Sequence, residues 1–149
     1  MRVVAQSAIV PGVSEAAAFG ELAYLYVGTS DFERDVAFYR DVLGAPVVWR
    51  FAKFGAQVAA FRVGPGPLLL LADHRPAPSC MPIFAVTDLD ETSRALRERG
   101  WVPTAGPFEV PDGPCYLFHD PSKNPMAILE LRRPGALEAA YADGRAPGG

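Results

Sequence analysis

Apolar and polar residues form one pattern that occurs twice along the chain. The first copy begins with an apolar run at residues 22–28, reaches Asp31, and continues to Leu43-Gly44. The second begins at residues 81–86, reaches Asp88, and ends at Arg99-Gly100. Each copy predicts a strand, an Asp that caps a helix, a helix of roughly a dozen residues, and a Gly just beyond its end.

Both predicted helices have one apolar face and one polar face. The first helix has its apolar residues at Val36, Phe38, Tyr39, Val42 and Leu43. The second has Leu89, Thr92, Ala95 and Leu96. We therefore expect each helix to pack one side against a sheet.

Further strands are predicted after each Gly, separated by turns rich in Gly, Pro and Asp. In the first copy they cover residues 46–51, 57–63 and 68–72, with a turn at 64–67. In the second they cover 108–110, 115–118 and 126–131, with turns at 111–114 and 120–125. Each copy thus predicts one βαβββ module.

The segments outside the repeat complete the predicted organisation. It comprises an N-terminal arm (1–19), a first module (20–75), a linker (76–80), a second module (81–133) and a partly disordered tail (134–149), with both modules in one domain. Within the arm, residues 3–10 could form an edge strand and 14–19 a short helix or loop. Within the tail, a helical turn is expected at 137–141.

Composition narrows the possible functions. Half of the 149 residues are hydrophobic, which is enough for a core, and the net charge is −3. A mildly acidic chain without clustered Lys or Arg is not expected to bind nucleic acid. No apolar run is long enough to cross a membrane, and no signal peptide is expected.

The two cysteines, Cys80 and Cys115, are expected to be free thiols, and a disulfide between them stays an alternative. A cytoplasmic location is therefore expected.

The motifs together resemble the vicinal oxygen chelate superfamily, which includes glyoxalase I, bleomycin-resistance proteins and extradiol dioxygenases. Three segments carry the resemblance: residues 24–44, residues 86–100, and the Asp120-Pro121 to Asn124 turn before the last strand. The resemblance implies an α+β fold of two pseudo-symmetric βαβββ modules, whose sheets curve into a cup-like partial barrel.

The resemblance also implies where a divalent metal would bind in related enzymes, namely at inward positions on the first and last strand of each module. Those positions correspond to Tyr24, Leu70, Met81 and Ala127. None is the imidazole or carboxylate that a hard cation requires. No metal and no cofactor are therefore expected at these positions. A displaced site using His74, His119 or Asp120 remains an alternative, with rim or surface positions favoured for both histidines.

Strand alternation assigns a lining to the cup. The predicted ligand-binding residues are Tyr24, Tyr26, Trp49, Leu70, Met81, Ile83 and Ala127. Glu130 should face away from the cup, because its offset from Ala127 is odd. An apolar and aromatic lining suits a small apolar or aromatic molecule, although the same residues could simply fill a barrel core.

Three functions follow from these observations. A metal-free protein that binds or sequesters a small molecule is favoured. The alternative is a glyoxalase- or dioxygenase-like enzyme (lyase, isomerase or oxidoreductase) with a displaced metal site or metal-free acid–base catalysis by Tyr24, Tyr26 or His119. The third is an interaction module without a ligand. A homodimer is expected, because the resemblance implies a cup that is often completed across two chains and because an open sheet edge needs cover.

Overall fold

The computed structural model describes residues 19–142. The arm at 1–18, with its predicted edge strand, and the tail from 143 lie outside the described residues. The first module contains β1 (Leu22–Gly28), α1 (Phe32–Ala37, extended by a π-helical turn at Phe38–Val42), β2 (Val47–Lys53), β3 (Ala56–Phe61) and β4 (Leu68–Ala72). The second contains β5 (Cys80–Val86), α2 (Leu89–Arg97), β6 (Ala105–Val110), β7 (Gly113–His119) and β8 (Pro125–Glu130). A last helix, α3, spans Ala136–Tyr141, where a helical turn was predicted.

All eight strands form one sheet in the order β2-β3-β4-β1-β5-β8-β7-β6. In each module the first strand is parallel to the last, β1 to β4 and β5 to β8. The modules join through the antiparallel pair β1 and β5, in which Tyr26 faces Met81 and Tyr24 faces Ile83. The curled sheet forms a half-barrel, which confirms the predicted fold of two βαβββ modules.

Both helices begin at the predicted caps. The Asp31 carboxylate accepts a hydrogen bond from the Arg34 backbone N–H, and Asp88 accepts one from Glu91. Both glycines beyond the helices adopt positive φ, 70° at Gly44 and 96° at Gly100. A glycine tolerates this conformation without a steric penalty, so each helix ends where the sequence predicts.

The helices cover the outer face of the sheet, and the inner face forms the cup. Outside, α1 packs Phe32 and Val36 against Phe61 and Leu71. Likewise α2 packs Leu89 against a cluster that includes Ile128. Leu89 and Thr92 are buried, and Ala95 and Leu96 are half-buried, so the predicted inner face of α2 is confirmed.

The predicted inner face of the first helix is wrong in part. Val36 is buried and Tyr39 stacks on Phe61 at 5.1 Å, but Phe38, Val42 and Leu43 are 48 %, 69 % and 48 % exposed. The π-helical turn explains the difference, because a wider turn rotates the following residues away from an α-helical face.

Both thiols are free, with Cys80 exposed and Cys115 buried, as favoured from the sequence. Cys80 lay in the predicted linker, whereas in the structure it is the first residue of β5 and pairs with Val27. No helix among residues 19–142 is long and apolar enough to cross a membrane.

Candidate functional site

The concave face of the sheet encloses a cavity of about 520 Å³. The cavity is lined by every residue that strand alternation assigned to the cup: Tyr24, Tyr26, Trp49, Leu70, Met81, Ile83 and Ala127. Because a one-residue slip would reverse all inward positions, this shared lining shows that the predicted strand register is correct. Whether these residues bind a ligand stays a prediction.

Aromatic side chains make up much of the wall on the side of the first module. The rings of Trp49 and Phe51 stack at 5.9 Å with an interplanar angle of 3°. Leu137 of α3 also lines the cavity, so the C-terminal helix closes part of the cup. Such a wall offers flat apolar surfaces to a small organic molecule.

One carboxylate, Asp112, lies among these apolar side chains. It is 2 % exposed, and Oδ2 accepts a hydrogen bond from the Tyr24 hydroxyl. Its Oδ1 is buried without a hydrogen-bond partner among residues 19–142. Within the same part of the chain, no Lys, Arg or His forms an ion pair with it. A buried carboxylate without a cationic partner is costly to folding, and such groups concentrate at functional sites.

The backbone of the β6–β7 turn brings Asp112 into the cup. Gly113 has φ 152°, and a Cβ there would lie 2.0 Å from the Glu130 carbonyl oxygen. Only glycine therefore lets the turn lie so close to β8. The Asp112 carbonyl then accepts N–H groups from Arg132 and Arg133, each at 2.9 Å.

The two cup tyrosines keep their protons over a wide pH range. Burial, with the hydrogen bond and charge of Asp112, raises the pKa of Tyr24 well above its ordinary value. Burial raises the pKa of Tyr26 to about 12, opposed by the positive charge of Arg75. Both phenols are therefore hydrogen-bond donors at neutral pH and not bases.

His74 forms a second polar pair in the cup. Its Nε2 lies 3.0 Å from the Tyr26 hydroxyl, and the two rings meet edge to face at 5.7 Å. Burial, followed by the charge of Arg75, lowers the pKa of His74 below its ordinary 6.5. The imidazole is consequently neutral at pH 7 and can carry a proton on one nitrogen and accept one on the other.

The donor set does not fit the metal that related enzymes hold. The four corresponding positions supply a phenol at Tyr24, a thioether at Met81 and hydrocarbon at Leu70 and Ala127, all lining the cup. A hard divalent cation needs imidazole, carboxylate or carbonyl ligands. Within residues 19–142, no group of three or more His, Cys, Asp or Glu could hold a metal ion.

The side chains considered for a displaced metal site do not come together in the structure. His119 is exposed at the end of β7 and does not line the cup. Asp120 accepts hydrogen bonds from the backbone and side-chain amide of Asn124, so it stabilises a turn. Glu130 accepts the Leu89 N–H at the start of α2, on the face away from the cup, as its offset predicts.

The sequence reasoning missed Asp112, Lys53 and Arg75 as cup residues. Asp112 belongs to a Pro-Asp-Gly-Pro segment, which is typical of an exposed turn. Lys53 and Arg75 follow the strands predicted at 46–51 and 68–72, and a charged residue just after a predicted strand indicates a solvent-exposed position. All three line the cup because of long-range packing. His74 was placed at a rim, and its pairing with Tyr26 was not predicted.

Comparison with known proteins agrees with this architecture. A methylmalonyl-CoA epimerase from Mycobacterium tuberculosis superposes with a TM-score of 0.66 at 17 % identity, over 80 % of this chain and 93 % of that one. A variant epimerase from Streptomyces coelicolor gives 0.64 at 15 %, over 77 % and 99 %. A hypothetical protein from Bacillus halodurans gives 0.65 at 13 %, over 76 % and 95 %. At these identities the similarity shows a shared fold.

Among curated proteins none matches the chain. A family model does match, over residues 21–128, which is most of both modules. The chain belongs to the Glyoxalase/Bleomycin resistance protein/Dioxygenase superfamily.

Proposed function

We propose that the protein is a metal-independent enzyme that isomerises a small organic molecule in the cup by proton transfer. The observation that carries the proposal is Asp112, a buried carboxylate that accepts a hydrogen bond from Tyr24 and forms no ion pair with a cation among residues 19–142. The proposal revises the expectation of a binding protein, because a pure binder of apolar molecules gains nothing from a carboxylate that costs stability.

In the proposed reaction Asp112 removes a proton from a carbon next to a carbonyl group. The electron pair of the C–H bond moves onto the carbonyl oxygen and gives an enolate. A hydrogen bond from the Tyr26 phenol stabilises that oxygen, since Tyr24 already donates its one O–H to Asp112. Return of the proton to either face of the carbon, or to a neighbouring atom, completes an isomerisation without any net reactant.

The Tyr26–His74 pair supports the same chemistry from the next inward position of β1. A neutral His74 within 3.0 Å of a phenol can shuttle a proton to and from it. The cup then contains one carboxylate and one imidazole, each held by a tyrosine of the same strand. Two acid–base groups that line one cavity are suited to removing a proton from one face of a carbon atom and returning it to the other face.

The structurally similar epimerases suggest the first compound to try. Their names specify methylmalonyl-CoA as the molecule on which they act. For this chain that compound is a test substrate, beside other 2-substituted acyl thioesters and 2-substituted keto acids. A cytoplasmic location, where free thiols persist, is part of the proposal.

Deuterium exchange tests the proposal. Each compound is incubated with the protein in D₂O, and NMR follows the signal of the acidic C–H. We expect exchange with at least one compound, and we expect Asp112→Asn to slow it by about 10²–10⁴-fold, the usual contribution of a general base. The matched control is Asp90→Asn, at an exposed position on α2. Undiminished exchange in Asp112→Asn, or no exchange with any compound, would contradict the proposal.

A binding protein without catalysis is the second candidate, and the apolar wall of Trp49, Phe51, Leu70 and Met81 favours it. It predicts a rise in the thermal unfolding midpoint with a ligand that never exchanges deuterium.

A further inference from the structure

Two cationic side chains line the cup at one end. Lys53 ends β2, and Arg75 follows β4 by three residues. Lys53 pairs with Ala56 at the start of β3, and Ala72 at the end of β4 pairs with Val58. Both cations therefore lie at the same end of β2 and β4, the two strands that flank β3, which are roughly 10 Å apart across two strand spacings.

Arg75 has no anionic partner within the described chain. None of the ion pairs among residues 19–142 includes it, and its Nε is buried without a hydrogen-bond acceptor. The neighbouring Asp73 is already occupied, because it accepts the backbone N–H of Gln57 at 2.9 Å and the side-chain amide at 3.2 Å. A buried N–H without an acceptor is unfavourable, and an anion in the cup would satisfy it.

The backbone around Arg75 is built into the end of β1. A Cβ at Gly28 would lie 1.9 Å from the Pro76 carbonyl oxygen and 2.8 Å from that of Arg75. The Gly28 N–H donates to Ser79 at 3.3 Å, and Thr29 donates to Ala72 at 3.1 Å. These contacts fix the segment that presents Arg75, so its position does not depend on a loose loop.

The polar groups of the cup are consequently sorted along β1. At one end of the cup Tyr24 is paired with Asp112. At the other end Tyr26 is paired with His74, and Arg75 and Lys53 also line the cavity there. The two tyrosines are separated by roughly 7 Å along the strand. A molecule that spans this distance would meet a carboxylate at one end and cations at the other.

We propose that the cup binds small organic carboxylates, with the ligand carboxylate on Arg75 and Lys53 and its apolar body between the aromatic wall and Asp112. The guanidinium can hold a carboxylate through two parallel hydrogen bonds, whereas the exposed Lys53 adds a weaker, screened attraction. This inference rests on the proposed function, because it takes the cup as the substrate site and orients the substrate within it.

A matched pair of probes tests this inference without catalysis. The probes are 3-phenylpropanoate and its neutral isostere 3-phenylpropanamide, and ligand-observed NMR titration measures their affinities. We expect the wild-type protein to bind the acid about tenfold to a hundredfold more tightly than the amide, the range for hydrogen bonds to a charged group. Added salt should weaken binding of the acid and leave binding of the amide unchanged.

Two variants locate the effect. Arg75→Gln should remove most of the preference for the acid, and Lys53→Gln should remove a smaller part. Arg99→Gln, at an exposed position beyond α2, is the matched control and should keep the preference. If Arg75→Gln does not fold, Lys53→Gln and the salt dependence of the wild-type protein still decide the question.

The outcomes separate this inference from the proposed function. The carboxylate site would be overturned if the amide bound as tightly as the acid or more tightly, or if Arg75→Gln kept the preference for the acid. Neither result would contradict proton transfer by Asp112. A carboxylate preference without deuterium exchange on any compound would support the site and contradict the catalytic proposal. Failure of both probes to bind would overturn the carboxylate site, while exchange on the larger thioesters would still uphold the catalytic role of Asp112.

Discussion

At the scale of single residues, the cup depends on a carboxylate whose surroundings are mostly apolar. Asp112 is buried, and Tyr24 is the one side chain among residues 19–142 that donates a hydrogen bond to it. Removing one partner of a buried polar pair leaves the other unsatisfied, whereas replacing both by apolar groups can be nearly neutral. The stability of the cup should therefore respond differently to single and double changes at this pair.

We expect Tyr24→Phe to lower the free energy of unfolding by about 1–3 kcal/mol, because the Asp112 carboxylate loses its donor. The double variant Tyr24→Phe with Asp112→Leu should recover much of that loss. Urea denaturation measures both, and Tyr141→Phe, a half-buried tyrosine on α3, is the control. A single variant as stable as the wild-type protein would show that the hydrogen bond contributes nothing.

The limits of sequence reasoning are also clear at this scale. Tyr24 and Met81 could be placed in the cup because strand alternation has a fixed period and a buried face. Asp112 could not, because its direction depends on Gly113 fitting against the Glu130 carbonyl, a contact between distant segments. Arg75 depends in the same way on Gly28 and Pro76. Local patterns predict strand faces, but they do not predict which turn folds inward.

At the scale of elements, helix capping and strand alternation were sufficient to predict the repeat. Asp31 and Asp88 cap α1 and α2 as expected, and the strand at Leu68–Ala72 has the predicted bounds. The buried face predicted for the last turn of the first helix was wrong, because apolar spacing alone does not reveal a π-helical turn. Phe38, Val42 and Leu43 are exposed for that reason.

The C-terminal helix α3 is short, but it contributes a buried leucine to the wall of the cup. Leu137 is 8 % exposed and packs in the cluster of Trp49, Val58 and Leu70, although α3 has only six residues. The Tyr141 ring lies 5.2 Å from Phe51. Although α3 follows the second module in the chain, it packs on β2 of the first module. It therefore closes the cup wall on the side of the first module.

Truncating Leu137 should therefore destabilise the protein more than truncating an exposed leucine. We expect Leu137→Ala to lower the free energy of unfolding by about 2–3 kcal/mol, within the range for buried leucines. Leu43→Ala, at a 48 % exposed position, should change it by less than about 1 kcal/mol. Chemical denaturation measures both. Equal effects would mean that α3 is not bound to the cup in solution.

At the scale of the whole molecule, the sheet has two edge strands, β2 and β6, and other elements cover them to different extents. The β2 edge is packed against α3 and contains the buried Trp49. In contrast, five of the six residues of β6 are exposed, including Phe108. Apart from Pro107, which has no N–H, such an uncovered edge strand presents unpaired N–H and C=O groups that a partner strand would satisfy.

We propose that β6 pairs with β6 of a second copy, which would make the homodimer expected from the sequence. Antiparallel pairing about a two-fold axis places the same patch on both subunits and leaves no further open edge there. Sedimentation at micromolar concentration should show a dimer. Phe108→Lys should shift it to monomer, because each subunit would add a positive charge to the shared edge, where like charges on paired strands repel. Val63→Lys, at an exposed position in the loop before β4, should remain dimeric. A monomeric wild-type protein would contradict the pairing, and a dimeric Phe108→Lys variant would place the interface elsewhere.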